Sequence, residues 1–318
     1  MKQLWKWLSA LMMASVLASC GGNDDTYGDL VDVAGKNQLN ALLVAVDKAQ
    51  LRDALKVSEA RLTVLAPSDA AFTALATQLG FADAGALVNA LSPGDLRRIL
   101  SYHLIAGTKD GNEIRAAGTS LTTTFAFDGA LARLGLNTAS GIVLTDAVLA
   151  TATVTQADLR ADNGIIHVID KVLVPPGVLN VVQMAQVNPN AFSSLVAAVG
   201  ATGLGPTLAG PGPFTVFAPN NAAFAAAPAG LSTAQLGAVL SYHVLPSQVL
   251  ASAIPFGTPV ATLDTVTLAG ETVPAQTITI NSNLSITDTT ATPAPILATD
   301  VRASNGVIHV IGKVLIPR

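Results

Sequence analysis

Apolar positions along the chain follow helical spacing near the start of each half. They recur at intervals of three and four residues, which places them on one helix face. The positions are Leu39, Leu42, Leu43 and Val46 in the first half and Phe192, Leu195, Val196 and Val199 in the second. Each half is therefore predicted to open with an amphipathic helix that packs one face against a core.

A short apolar run follows each of these helices and ends at a proline. The runs occupy residues 62–65 and 214–217 and read as strands. Ser68 or Asn220 comes directly after the proline, where its side-chain oxygen can accept a hydrogen bond from the first turn of a helix. Each strand is thus predicted to lead directly into a helix.

The last third of each half reads as strands. Asn163-Gly164 and Asn305-Gly306 separate apolar, β-branched runs, and Asn-Gly in that position favours a tight hairpin turn with positive φ. The strand after each turn is apolar on both faces, which is typical of a central strand covered on both sides. These central strands are predicted over residues 165–174 and 307–316.

The same segments recur in the same order in the two halves. Tyr102 and Tyr242, for example, lie 140 residues apart, so the repeating unit is a whole domain. We place the two domains at residues 29–175 and 177–318. The first copy has 12 more residues than the second between its phenylalanine and its Tyr-His pair, which predicts an added helix or loop near residues 77–89. The recurring segments are residues 62–72 and 214–224, residues 100–104 and 240–244, and residues 163–175 and 305–317.

The first residues have the pattern of an export signal. Lys2 and Lys6 precede an apolar run at residues 8–17, and small residues lead to Cys20. This resembles a bacterial lipoprotein signal, which implies cleavage after residue 19 and a lipid on Cys20 that anchors the protein in a membrane. The polar residues 20–28 would form a short tether. An ordinary secretory signal, with Cys20 incidental, is the alternative.

Composition narrows the possible compartments and partners. The formal net charge is −4 and no basic patch is visible, so we expect no nucleic-acid partner. Cys20 is the single cysteine, which rules out an internal disulfide. We expect a cell-envelope location at the outer membrane, because family habit in lipoproteins links Gly21 after the cysteine to that membrane. The sequence does not distinguish the periplasmic face from the cell surface.

Taken together, the repeated segments resemble the fasciclin domain. The resemblance rests on Thr-Val-Leu-Ala-Pro-Ser-Asp-Ala-Ala-Phe at residues 63–72, on Tyr102-His103, and on Asn-Gly-Ile-Ile-His-Val-Ile-Asp-Lys-Val-Leu-Val-Pro at residues 163–175, each with its second copy. It implies an α+β fold with two tandem domains, each a β-wedge with packed helices. It also implies a protein that is not an enzyme and needs no cofactor, and that adheres to an extracellular or envelope protein or polysaccharide.

The resemblance also implies candidate partner-binding residues around each Tyr-His pair. Packing of these rings in the core is the competing interpretation, because buried polar atoms need hydrogen-bond partners. The candidates are Leu100, Tyr102, His103, Leu104 and Ile105 in the first copy and Leu240, Tyr242, His243, Val244 and Leu245 in the second.

The remaining histidines, His167 and His309, lie within predicted strands, and we expect them to be structural, as we do for the two Asn-Gly pairs.

A metal site is disfavoured because zinc needs three or four ligands and no cysteine or acidic pattern accompanies the histidines. A hydrolase would need a nucleophile beside His103 or His167. A periplasmic protein that binds a small apolar molecule or lipid would need a deep apolar pocket.

Overall fold

The computed structural model describes residues 27–57, 61–228, 230–264, 267–268, 271–272 and 276–317. The expected signal peptide, the lipid-attachment residue Cys20 and most of the tether lie outside these ranges. No helix in the described ranges is both long and apolar enough to cross a bilayer.

The first domain combines seven helices with one seven-stranded sheet. The helices are α1 Leu30–Lys36, α2 Asn40–Lys48, α3 Arg52–Lys56, α4 Asp69–Gln78, α5 Ala84–Ala90, α6 Pro93–Tyr102 and α7 Gly111–Ala116. The strands are β1 Leu62–Pro67, β2 Leu104–Ala106, β3 Ser120–Phe127, β4 Ala130–Asn137, β5 Val143–Thr145, β6 Thr151–Ala161 and β7 Gly164–Ile169. They are ordered β2-β1-β7-β6-β5-β4-β3, and β7 pairs parallel with β1 and antiparallel with β6.

The second domain repeats this arrangement. Its helices are α8 Val181–Gln186, α9 Pro189–Thr202, α10 Gly205–Ala209, α11 Asn221–Ala225 and α12 Thr233–Tyr242, with a short 3₁₀ helix at Ala251–Ala253. Its strands are β8 Phe214–Pro219, β9 Val244–Leu245, β10 Pro259–Ala261, β11 Thr267–Leu268, β12 Glu271–Thr272, β13 Thr277–Asn281, β14 Ser285–Thr287, β15 Ala294–Ala303 and β16 Gly306–Ile311. The main sheet is ordered β10-β13-β14-β15-β16-β8-β9.

Each central strand separates two apolar cores. Ile166 and Val168 of β7 face the helices, whereas Ile169 faces the interior that the curved, barrel-like sheet encloses. In the second domain Ile308 likewise faces the helices, and Ile311 faces the interior of the sheet. Successive strand residues point to opposite faces, so a strand that is apolar throughout can serve both cores. This confirms the predicted α+β class and the two tandem domains.

Several local predictions are confirmed. Ser68 accepts a hydrogen bond from the Ala71 amide at 3.2 Å and begins α4, and Asn220 begins α11 by accepting one from the Ala223 amide at 2.8 Å. The extra residues of the first copy form the added helix α5 and a longer α4. The helix starts could be predicted from the sequence because a capping residue lies within a few residues of the amides that it caps.

Two predictions about the central hairpins are wrong. The strands end at Ile169 and Ile311, five residues earlier than predicted, because the chain bends at residues 170–171 and 312–313. The turn residues are Asp162-Asn163 and Ser304-Asn305, and neither they nor the glycines that follow have positive φ. Glycine is needed there for close packing between strands, since a Cβ on Gly164 would lie 2.3 Å from the Leu62 carbonyl oxygen.

The two domains pack against each other through both apolar and polar contacts. One continuous apolar core includes residues of both, among them Val148 and Val187. Arg302 of the second domain forms an ion pair with Asp128 at 2.8 Å and stacks over the Phe127 ring of the first, 5.3 Å from its centroid. The short connection and these contacts together fix how the two domains meet.

Candidate functional site

The segments around the two Tyr-His pairs lie inside the domains. Tyr102 ends α6 and Tyr242 ends α12, and each following histidine is the C-cap of its helix. All ten candidate partner-binding residues are buried except Leu104, which is half-buried. A partner could touch them only if the helix moved away from the sheet, so their role in binding remains a prediction.

The tyrosine hydroxyls bond to backbone carbonyls inside the domain. Tyr102 donates to the Arg133 carbonyl at 3.2 Å, and Tyr242 donates to the Thr277 carbonyl at 2.9 Å. The Tyr102 ring packs edge-on against Phe125. Burial, together with the nearby Asp146, raises the pKa of Tyr102. Each tyrosine therefore links the end of its helix to a strand of the sheet through a hydrogen bond.

His103 and His243 use both ring nitrogens to hold the backbone. Nδ1 of His103 donates to the Ile99 carbonyl at 2.7 Å, and its Nε2 accepts from the Leu173 amide at 2.9 Å. His243 makes the equivalent bonds to Val239 and Leu315 at 2.7 and 2.9 Å. An amide N–H can bond only to an unprotonated nitrogen, so these contacts fix a neutral ring protonated at Nδ1. Burial lowers the pKa of each histidine to about 4.

His167 and His309 bond to the backbone with the opposite tautomer. Nε2 of His167 donates to the Lys109 carbonyl at 2.8 Å, and its Nδ1 faces the Asp158 amide at 3.3 Å. Nε2 of His309 donates to the Val249 carbonyl at 2.9 Å, and burial lowers its pKa. Each of these rings connects the central strand to the segment that follows β2 or β9.

These bonds leave little capacity for ligand chemistry at the histidines. A catalytic base needs a free ring nitrogen aimed at a proton, and a metal ligand needs a free lone pair. In all four rings both nitrogens face a backbone group. The described part of the chain also holds no cluster of three or more His, Cys, Asp or Glu side chains suited to a metal ion.

The asparagine of each Asn-Gly pair joins the opening helices to the sheet. Asn163 is 2% exposed, accepts a hydrogen bond from the Leu30 amide at 2.9 Å and donates to the Leu55 carbonyl at 2.7 Å. Asn305 makes the equivalent bonds to Val181 and Leu208. The sequence drew attention to these residues as turn formers, but their side chains join parts of the chain more than 90 residues apart.

We expect Asn163→Ala to destabilise the first domain by about 2–3 kcal/mol, because the Leu30 amide and the Leu55 carbonyl lose a buried partner. Urea unfolding followed by circular dichroism measures the change. Asn137→Ala is the matched control, since this side chain lies on the surface and accepts one exposed bond from Ala139. A loss in Asn163→Ala no larger than in the control would contradict this role.

A buried ion pair recurs in both domains and was not found from the sequence. The Asp146 carboxylate is fully buried, and the Lys171 ammonium lies 3.0 Å from it. Asp146 also accepts bonds from the amides of Val148, Ala150 and Val174. A signal was present in the repeat, because Lys171 follows Asp146, and Lys313 follows Asp288, by the same 25 residues.

The equivalent pair in the second domain is Asp288 and Lys313, whose atoms lie 3.2 Å apart. Burial alone would raise the pKa of Asp288, but hydrogen bonds from Thr290, Ile316 and Lys313 outweigh it and hold the pKa below its ordinary value. For Asp146 the more complete burial dominates and raises the pKa. In each domain the aspartate follows a short strand, β5 in the first domain and β14 in the second, and the lysine lies near the end of the domain. The ion pair therefore links these two segments.

Each domain also has a narrow apolar cleft between its opening helices and its sheet. The clefts are lined by equivalent residues, including Leu42 and His103 in the first domain and Leu195 and His243 in the second. Each has a volume of about 30 Å³, which holds one or two water-sized groups. A lipid or drug-sized ligand needs several hundred Å³, so this geometry does not favour a binding protein for apolar molecules.

Comparison with known proteins identifies the domains. The fasciclin domain model matches residues 37–175 and 190–317. Protein sll1483 of Synechocystis is 39% identical over 147 residues, covering 44% of this chain and 74% of that protein. Transforming growth factor-beta-induced protein ig-h3 of Sus scrofa is 32% identical over 262 residues, which is 80% of this chain but 34% of that protein.

One solved structure also matches the chain. It is a FAS1 domain pair from the insect cell adhesion molecule Fasciclin I, which shares 19% identity and covers 89% of this chain and 98% of its own, with a TM-score of 0.41. The two matched ranges of the family model take in most of the chain, and each coincides with one copy of the repeated fold. The chain therefore belongs to the fasciclin domain family and carries two fasciclin domains in tandem.

Proposed function

We propose that this protein is a lipid-anchored, non-enzymatic component of a bacterial cell envelope that mediates adhesion to an extracellular or envelope protein or polysaccharide. The observation that carries the proposal is the pair of fasciclin domains behind a lipoprotein-like signal. Fasciclin domains in homologues are associated with cell adhesion. A lipid on Cys20 would hold both domains close to the membrane that carries them, since the predicted tether is short.

The histidine and aspartate contacts support a role without catalysis. Both nitrogens of each histidine ring face backbone groups, and the carboxylates of Asp146 and Asp288 are occupied by backbone amides and a lysine. Such groups hold the interior together, and a partner would then meet the exposed loops. Adhesion through surface residues is therefore the function most consistent with an interior whose histidines and carboxylates already have partners.

Anchoring is tested by labelling cells with radioactive palmitate. We expect the protein to take up the label and Cys20→Ser to lose it, because the cysteine sulfur is the site of lipid attachment. Ser19→Ala, next to it in the sequence, is the control and should still be labelled. An unlabelled, soluble parent protein would contradict the anchor.

Adhesion is tested with beads that carry the purified protein and surfaces coated with matrix proteins or polysaccharides. We expect beads to bind at least one surface, and Tyr102→Phe and Tyr242→Phe to bind as well as the parent, because these changes remove only buried hydroxyls. Circular dichroism would confirm that the variants are folded. Failure of the parent beads on every surface would contradict the proposed adhesion.

A further inference from the structure

A cleft of about 310 Å³ lies between the two domains. Residues 130–133 of β4 line it from the first domain, and residues 299–302 of β15 line it from the second. At about 30 Å³ per water molecule, the space corresponds to about ten waters. The cleft can therefore take one or two side chains of a partner, and it needs both domains to form.

Arg302 lines this cleft with one edge of its guanidinium group unpaired. Nη1 donates to Asp128 at 2.8 Å, and the group stacks over the Phe127 ring. Nε is buried without a hydrogen-bond partner, and no other side-chain nitrogen or oxygen within the described ranges is in that state. Nη2, on the same edge as Nε, donates to no described residue. Buried donors normally have a partner, so this edge points to an acceptor supplied by a ligand.

The vacant edge of Arg302 has the geometry that binds a carboxylate. Nε and Nη2 donate in the same direction, and this fork matches the two oxygens of one carboxylate group. Stacking over an aromatic ring leaves the donors in the guanidinium plane available. Such a two-point, charge-assisted contact is stronger than a hydrogen bond between neutral groups.

The pairing of the domains, and not the fold of one domain, creates this arrangement. Arg160 is the equivalent residue of the first copy, since it precedes Asn163 by three positions as Arg302 precedes Asn305. Arg160 is exposed, and its side chain has no partner in the part of the chain that the structure describes. Only Arg302 therefore has a partly buried guanidinium group at a domain boundary.

Arg133 adds a second guanidinium group to the cleft. Of the charged side chains that line it, Asp146 is paired with Lys171, and Asp300 accepts a hydrogen bond from the Ala251 amide at 2.9 Å. Arg133 is exposed and makes neither an ion pair nor a side-chain hydrogen bond with any described residue. An acidic ligand would thus meet two guanidinium groups with unused donors.

Two exposed leucines line the same cleft. Leu131 is 53% exposed and Leu149 is 42% exposed. Exposed apolar side chains next to arginine are typical of sites that bind another protein. We propose that the cleft binds an acidic peptide segment of a partner protein, with a carboxylate on the two arginines and an apolar side chain against the two leucines. This rests on the proposed adhesive function and names a protein as the partner.

Saturation-transfer NMR with two short peptides tests the proposal on the purified protein. We expect acetyl-Leu-Glu-Leu-amide to bind, and acetyl-Leu-Gln-Leu-amide to bind about tenfold more weakly or worse, because glutamine has no charge to pair with arginine. Sodium acetate, which has the carboxylate without the apolar side chains, should also bind more weakly than the glutamate peptide.

Variants of the two arginines locate the site. Arg302→Lys keeps a cation for Asp128 but loses the two-point edge, so it should raise the Kd of the glutamate peptide about fivefold or more, as should Arg133→Gln. Arg160→Lys makes the same change at the equivalent exposed position outside the cleft and should leave Kd within about twofold of the parent. Circular dichroism confirms that each variant is folded.

The proposal is overturned if neither peptide binds, if both bind equally well, or if Kd is unchanged in both folded cleft variants. Acetate that binds as tightly as the glutamate peptide would show a simple anion site and also overturn it. The bead assay separates this from the adhesive function. Adhesion of the parent without peptide binding removes the cleft proposal alone, and peptide binding by a protein whose beads adhere to nothing removes the adhesive function alone.

Discussion

Asp146→Ala is expected to lower the free energy of unfolding of the first domain by about 3–5 kcal/mol. The change removes the partner of the Lys171 ammonium and the acceptor of three backbone amides, those of Val148, Ala150 and Val174. Breaking a buried ion pair from one side leaves an uncompensated charge, which is among the most costly single substitutions. Urea unfolding followed by circular dichroism measures the loss.

Two further variants show which part of the Asp146 side chain matters. Asp146→Asn keeps an oxygen for the Val148 and Ala150 amides but loses the attraction to Lys171, so it should cost less than the alanine variant. Asp53→Ala, at an exposed position on α3, should change stability by no more than about 0.5 kcal/mol. An alanine variant of Asp146 as stable as the Asp53 control would show that the buried pair does not hold the domain.

Acid is expected to destabilise each domain through its buried Tyr-His histidine. The pKa of His103 and of His243 is about 4 in the folded protein and about 6.5 in the unfolded chain. The unfolded state therefore binds more protons as pH falls below 6.5. The free energy of unfolding falls from its value at pH 7 by about 3 kcal/mol per domain at pH 4, and is unaffected by these groups above pH 7.

Unfolding in urea at pH 7, 6, 5 and 4 measures this dependence. His309, whose pKa is also lowered by burial, adds to the loss in the second domain. His103→Gln keeps a donor and an acceptor but does not titrate, so the first domain of this variant should show a shallower slope between pH 6.5 and 5. A parent protein equally stable at pH 7 and pH 5 would contradict neutral, buried histidines.

The helix starts were predictable because their signals are local. Ser68 and Asn220 each lie within a few residues of the amides that they cap. The duplication was equally clear, since a repeated order of segments is a property of the sequence itself. The two hairpin turns were predicted one residue late and with positive φ, because the glycine of each Asn-Gly pair already lies in the central strand, where a Cβ would meet the neighbouring strand.

The contacts that define the candidate sites join residues far apart in the chain. The bond between Asn163 and Leu30 spans 133 residues, and the bond between His103 and Leu173 spans 70. No periodic pattern encodes such a pairing. The sequence showed that Tyr102-His103 recurs, but only the packing of α6 against the sheet showed that these side chains are buried.

The sequence by itself determined that the chain holds two copies of one α+β domain, where their helices begin, and which strand is central, since periodicity, capping and repetition act within short segments. The tertiary structure alone decided which nitrogen of each histidine carries the proton and which lysine meets Asp146. Those outcomes depend on distances between segments that are remote in the chain, and these distances exist only after both domains have packed.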